Sequence, residues 1–296
     1  MRQHILDTPI SYYAIFFVAK FLPLKICRWI GKAVALIVYI FSKRDRQGFA
    51  ANLSIALKSP PESVRVRRLV RRMFANYGEY MADFFRLPQM PPHKAETVFA
   101  GLKGEHIIKA ALDRGKGVVL LSAHIGNWEF GGAMVRHANY PLAVVSLPHN
   151  SAPTNALVNH IRRAKGISVI EVDASPFSAI PILKHLRQNG VVAMIGDKDF
   201  FGNGKIIPYF GKPVRFPIGP VTIAMTSGAA LIPAFVLKQP SGTYVGILEE
   251  AIQITTKGSR NQAIQSNLQN VASVFEDYIR KYPDQWYNPD PMIGPE

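Results

Sequence analysis

Residues 118–132 read VVLLSAHIGNWEFGG. An apolar run with no polar alternation stops at small residues, as a strand buried on both faces does. NWEFGGAMVRHA then carries the spacing of a helix. His124 therefore falls in the turn at the carboxyl end of a buried strand, and Glu129 in the first helical turn, from which it is expected to reach back toward the histidine.

The same alternation continues on both sides. GEHIIKAALDRGKG reads as a helix, LAVVSL as a strand, TNALVNHIRRAKG as a helix, ISVIEV as a strand and SAIPILKHLRQNG as a helix. VVAMIGD is a strand, VTIAMTSGA a helix, LIPAFVLK and YVGILEEAIQI strands, and QAIQSNLQNVASVFEDYIRKYP a closing helix. This predicts an α/β domain over 97–296 with a mostly parallel central sheet flanked by helices. Such sheets carry their sites at the carboxyl ends of the strands.

Ahead of it, residues 46–96 are expected to be helical. VRVRRLVRRMFANYGEYMADFFRL sets Val66, Leu69, Val70, Met73, Phe74 and Tyr77 at helical spacing, with Arg65, Arg67, Arg68, Arg71 and Arg72 on the other face. Residues 1–45 form an apolar, basic segment. Lys20, Lys25, Arg28 and Lys32 interrupt ISYYAIFFVAKFLPLKICRWIGKAVALIVYIF, Pro23 breaks it, and FSKRDR follows. Its apolar runs are short for a span, and no cleavage site follows them. The expectation is two amphipathic helices lying in a membrane interface, their cations reaching the headgroups. Two core helices, or one tilted span, are the alternatives.

Lys and Arg number 35 against 20 Asp and Glu, a formal charge of +15, so the surface favours polyanions. Basic residues dispersed through apolar helices fit an anionic membrane surface and no nucleic acid. Cys27 is the lone cysteine, which excludes an internal disulfide.

In a histidine–carboxylate relay the acid fixes the imidazole tautomer while the other ring nitrogen takes a proton. No G-x-S-x-G elbow, Walker motif or dinucleotide fingerprint is present. A base without its own nucleophile points to a substrate hydroxyl as the attacking group. A metal-dependent hydrolase using His124, Glu129, Asp197 and Asp199 is a rival of poor ligand spacing, and a non-catalytic basic protein is another.

HIGNWE at 124–129 and MIGDKDFFGNGKIIPYFGKPVRFPIGPVTIAMTSGAALIPAF at 194–235 resemble the lipid A biosynthesis acyltransferases, the lauroyl and myristoyl transferases, within the H-x4-D/E superfamily of lysophospholipid acyltransferase-like proteins. The chain is also similar to phosphatidylinositol mannoside acyltransferases. The likeness extends to NLSIAL at 52–57 and YPDQWY at 282–287. It implies transfer of a fatty acyl group from an acyl-carrier protein or acyl-CoA to a hydroxyl of a membrane glycolipid. A lipid A precursor is one such acceptor; another phospho- or glycolipid is the alternative. The place implied is the cytoplasmic face of the inner membrane, with no cofactor and no metal.

On the matching positions, His124 is the catalytic histidine, Glu129 its acidic partner and Asp197 a second acid, with Asp199 as fallback. Phe210, Gly211 and Lys212 match a further family segment. Gly126, Asn127, Trp128, Asn155, Arg163, Lys198, Asp199, Lys212 and Arg215 are expected at the substrate. Ser146-Leu147-Pro148 departs from the Y-R-P of many lipid A enzymes, and Arg162 or Arg163 is expected to supply the missing charge. Backbone N–H groups after Gly126 are candidate oxyanion donors. Phe84, Phe85, Trp128 and Phe130 are expected along an acyl groove.

Overall fold

The computed structural model describes residues 8–137, 140–149 and 151–292; the first seven residues of the N-terminal segment lie outside them. Four helices come first: α1 (Pro9–Phe21), α2 (Leu24–Phe41), α3 (Lys43–Leu57) and α4 (Val64–Arg86). The break between α1 and α2 falls at Leu22-Pro23, because proline disfavours helical backbone in the residue before it. In α4, Val66, Val70, Met73 and Phe74 are buried as the spacing predicts, and the five arginines are exposed. Tyr77 is instead exposed.

The first two helices are not a detached appendage. A Cβ built on Gly31 of α2 would lie 2.3 Å from the carbonyl oxygen of Gly78 in α4, so the two backbones touch. Arg28 reaches across the same seam. Its Nε donates to Asp83 Oδ1 at 2.6 Å and its Nη2 to Oδ2 at 3.0 Å. Tyr244 Oη donates to Oδ2 at 2.6 Å. Asp83 is wholly buried, and burial pushes its carboxyl above the usual range despite these partners. Removing one member of such a buried set costs about 3–5 kcal/mol. The outer faces of α1 and α2 stay bare, with Phe17, Trp29, Ile37, Ile40 and Phe41 exposed. Among the described residues no helix is long and apolar enough to cross a membrane.

After α5 (Pro92–Glu96) the chain alternates: β1 (Phe99–Lys103), α6 (Glu105–Leu112), β2 (Val118–Ser122), α7 (Trp128–His137), β3 (Leu142–Ser146), α8 (Ala152–Ala164), β4 (Ser168–Glu171), α9 (Ala179–Arg187) and β5 (Val191–Ile195). A hairpin of β6 (Lys205–Tyr209) and β7 (Lys212–Phe216) precedes α10 (Gly219–Ser227), β8 (Ala230–Lys238), β9 (Tyr244–Leu248) and α11 (Arg260–Lys281). Seven strands form one sheet in the order β1-β9-β8-β2-β5-β3-β4. Every neighbouring pair is parallel except β8 and β9. The expected α/β architecture with a mostly parallel sheet is present.

Strand β2 sits at the centre and is buried along its whole length. Alternate side chains point to opposite faces. Val119 and Leu121 pack into the core shared with α9, α10 and α11, and Val118 and Leu120 into that beneath α6. Each fully buried aliphatic side chain contributes about 1.5–3 kcal/mol. The connections through α7 and α8 step toward β4, and those through α9 and α10 step back. Right-handed crossovers therefore place α7 and α8 on one face and α9 and α10 on the other.

Candidate active site

The register of the central strands builds the site. Strands β2 and β5 run parallel with Ser122 opposite Ile195, and the Gly196 N–H donates to the Ser122 carbonyl at 2.8 Å. His124 and Asp197 each lie two residues past that last pair, so the ladder delivers them side by side. The His124 Nδ1 to Asp197 Oδ1 distance is 2.6 Å. Asp197 Oδ2 accepts the backbone N–H of His124 at 3.1 Å and the indole N–H of Trp286 at 3.3 Å. The carboxylate is wholly buried. Burial alone raises its pKa, but the neighbouring imidazole and these donors outweigh it and hold the group below its ordinary value. Nδ1 carries the proton in this arrangement, and Nε2 has no protein partner among the described residues.

Glu129 does not reach back to His124, and this corrects the expected relay. Its carboxylate is clamped by Arg162 of α8, with Nη2 donating to Oε1 at 2.5 Å and Nε to Oε2 at 3.2 Å. Helix α7 carries the side chain toward the face where α8 lies, whereas His124 points along the strand edge to β5. Burial acts against ionisation of Glu129, but Arg162 prevails and its pKa is lowered. Arg162 Nη1 also donates to Ser146 Oγ at 2.9 Å. Of the two arginines named for the Ser146-Leu147-Pro148 segment, Arg162 lies against Ser146 and lines the cleft; Arg163 is exposed and does not.

The turn between β2 and α7 is fixed by backbone contacts. Gly126 has φ +67°, and a Cβ there would meet the Val236 carbonyl oxygen at 1.9 Å. Only glycine fits both conditions. The Gly126 N–H donates to the Gln285 carbonyl and the Asn127 N–H to that of Val236, each at 2.8 Å. These two N–H groups are therefore committed. Those of Trp128 and Glu129 take no protein acceptor among the described residues and stand unpaired at the start of α7. Asn127 is buried, and its Oδ1 accepts the Phe130 N–H at 3.0 Å, so it caps the helix and does not face substrate.

His124, Trp128, Glu129 and Arg162 line a cleft of about 680 Å³ at the carboxyl edge of the sheet. Trp128 stands edge-on to His124, with ring centroids 5.4 Å apart. Phe84 lines the cleft; Phe85 and Phe130 are buried core residues outside its lining. Lys198 and Asp199 lie on the rim. Lys198 pairs with Asp290. Asp199 accepts the N–H groups of Phe201, Gly202 and Gly204, so it shapes a loop. Asn155 holds the His149 N–H and Glu171, and does not line the cleft. Lys212 and Arg215 sit on the exposed hairpin away from the lining. There Phe210 and Gly211 have φ of +50° and +76° and form its tight turn. Among the described residues no three His, Cys, Asp or Glu side chains converge as a metal-ligand set. His124 and Asp197 are bound to each other, Glu129 to Arg162 and Asp199 to its loop.

Trp286 and Gln285 carry roles that sequence reasoning missed, although YPDQWY stood out in it. Tyr287 N–H donates to the His124 carbonyl at 2.7 Å, and the Gln285 side chain bridges the N–H and carbonyl of Lys238, each at 2.9 Å.

Residues 4–288 match the model of the bacterial lipid A biosynthesis acyltransferases. The chain belongs to that family. This lipid A acyltransferase family member is 29% identical over 252 residues to a phosphatidylinositol mannoside acyltransferase of Mycobacterium tuberculosis strain CDC 1551, an alignment spanning 83% of this chain and 75% of the relative. A phosphatidylinositol mannoside acyltransferase of Mycolicibacterium smegmatis is 26% identical over 248 residues, 83% of this chain and 77% of the relative. Among solved structures, the 1-acyl-sn-glycerophosphate acyltransferase of Thermotoga maritima aligns with TM-score 0.40 at 11% identity, over 85% of this chain and 97% of that one. The chain is an acyltransferase of lipid or glycolipid acceptors.

Proposed function

We propose that the protein transfers a fatty acyl group from an acyl thioester, on a carrier protein or coenzyme A, to a hydroxyl of a membrane glycolipid. The observation that carries the reading is His124, with Nδ1 fixed by Asp197 and Nε2 left toward a largely apolar cleft. An acceptor hydroxyl at Nε2 loses its proton there as its oxygen bonds the thioester carbon. The carbon–sulfur bond then breaks, and the thiolate leaves with the proton from the imidazolium. General-base assistance of this kind is worth about 10²–10⁴-fold. The N–H groups of Trp128 and Glu129 face the charge that develops on the carbonyl oxygen. Glu129 and Arg162 form the wall of the cleft, where lone pairs of the carboxylate receive further hydroxyl groups of a sugar.

A lipid A precursor is the acceptor suggested by the family; a phosphatidylinositol mannoside is the one suggested by the two relatives. The bare apolar faces of α1 and α2, interspersed with Lys20, Lys25 and Lys32, support interfacial binding to an anionic membrane. In this reading the reaction runs at the cytoplasmic side of the inner membrane, on the side where acyl thioesters are made.

The test supplies purified protein with an acyl thioester and extracted glycolipids in vesicles and follows the ester product by mass spectrometry. The parent forms it and His124→Ala does not. Ester formation by His124→Ala at the parent rate overturns the reading.

A further inference from the structure

On the face of the sheet carrying α9 and α10, two loops bound the cleft and expose large apolar side chains. The first runs from β4 into the first turn of α9 and bares Phe177 and Ile180, at 72% and 58% exposure. The second follows β5 and bares Phe200 and Phe201, at 41% and 42%. Cleft-lining residues run beside these tips: Ser175 and Ser178 before α9, Ala179 and Ile182 in its first turn, and Asp199, Phe200, Phe201 and Asn203 after β5, where the Phe200 ring stands edge-on to His124 at 6.2 Å. Tyr12 of α1 lines the same cleft from the α8 side, where it meets His149 at 6.3 Å between ring centroids.

Each loop is held in shape by its own carboxylate. Asp173 accepts the Ser175 N–H and the Ser178 hydroxyl, and Asp199 accepts three N–H groups of its loop. Each carboxylate is thereby occupied by its own turn. Exposed Lys184 and Arg187 follow Ile180 along one face of α9. Apolar tips backed by cations suit the boundary between acyl chains and anionic headgroups. An acidic protein partner would need the charge at the tips, where this surface has Phe and Ile.

We propose that the Phe177/Ile180 segment and Phe201 form a second membrane-insertion surface at the cleft mouth, separate from α1 and α2. The protein then straddles the cleft mouth with one apolar footing on each face of the sheet. A lipid acceptor enters from the bilayer with its chains kept out of water. The inference rests on the acyltransferase reading only in taking the acceptor to be a membrane lipid.

The experiment labels the full chain at single introduced cysteines with an environment-sensitive fluorophore, since Cys27 is buried. Positions are Phe177→Cys, Phe201→Cys, Ile37→Cys on α2 and Asn270→Cys on α11 as a distant control. Vesicles of phosphatidylcholine and phosphatidylglycerol, with and without brominated chains, are the probe. Blue shift and bromine quenching at 177 and 201 as well as at 37, but not at 270, are expected. A response at 37 with none at 177 and 201 overturns the second surface while leaving membrane binding by α2 intact. No response anywhere removes membrane binding and the second surface together. A shift at 177 with an acidic carrier protein in place of vesicles overturns the lipid assignment. Phe177→Ser/Ile180→Ser should also lose about tenfold of turnover on a vesicle-borne acceptor and keep the parent rate on a short-chain, water-soluble one, since interfacial binding scales with buried apolar area. Equal losses on both acceptors overturn the proposal.

Discussion

Asp197 stands 73 residues beyond His124 in the chain and is its hydrogen-bond partner at 2.6 Å, whereas Glu129, five residues on, belongs to Arg162. The distinction decides which acid acts through the histidine. Asp197→Asn keeps the volume and loses the charge that fixes the imidazole tautomer and stabilises the imidazolium. Turnover should fall by about 10²–10⁴-fold. Combined with His124→Ala, the second substitution should add little, because groups acting as a unit are non-additive. A rate comparison of parent, both single variants and the double variant checks this; losses that multiply would separate Asp197 from the base.

Glu129→Gln leaves the Arg162 guanidinium buried without its counter-charge. The variant should lose about 3–5 kcal/mol of stability, much of it restored by Glu129→Gln/Arg162→Met, which removes both charges. Denaturant midpoints of the three proteins measure the difference. No recovery in the double variant would contradict the pairing.

The two lowered carboxylates set an acid limit. Asp197 and Glu129 both titrate below their ordinary values in the folded chain. The unfolded chain therefore takes up protons first as pH falls. Their stabilisation is complete above the unfolded values of about 4 and is lost as pH drops through the folded ones. Thermal midpoints should fall steeply below about pH 4. The slope should be shallower in Glu129→Gln/Arg162→Met, and an unchanged slope would show that the pair does not contribute.

Gly126→Ala requires a methyl group where the Val236 carbonyl stands, on a backbone with φ +67°. The turn must open and carry the first N–H groups of α7 with it. Activity should drop at least about a hundredfold, as misplacement near 1 Å does, with secondary structure retained by circular dichroism. Parent-like turnover would show that the turn tolerates displacement.

Much of this was legible in the sequence. The strand at 118–122, the helix after Asn127 and the alternation beyond follow from hydrophobic period, which burial on one or two faces imposes directly. His124 was legible because it stands where a buried strand ends. Its partner Asp197 entered only through the family likeness, as a second acid; spacing alone offered Glu129. Five-residue spacing says that Glu129 is near in sequence, but the helix start turns it toward α8. The ladder that brings Asp197 alongside is a non-local register between β2 and β5. Asn127, Asn155, Lys212 and Arg215 are polar residues whose type is equally suited to capping, bridging loops or solvent, and the structure uses them in those ways. Arg28 within the apolar segment was the visible trace of buried Asp83, yet the pairing spans 55 residues and no local pattern encodes it.

The segment from Gln285 to Asp290 passes behind the catalytic turn. It supplies the carbonyl for Gly126, the N–H for the His124 carbonyl and the indole for Asp197, and Asn288 and Asp290 carbonyls receive the Asn52 amide. These braces fail together: a chain truncated before Gln285 loses the hold on the turn, on the histidine backbone and on Asp197 at one stroke, and its base stays unlocked.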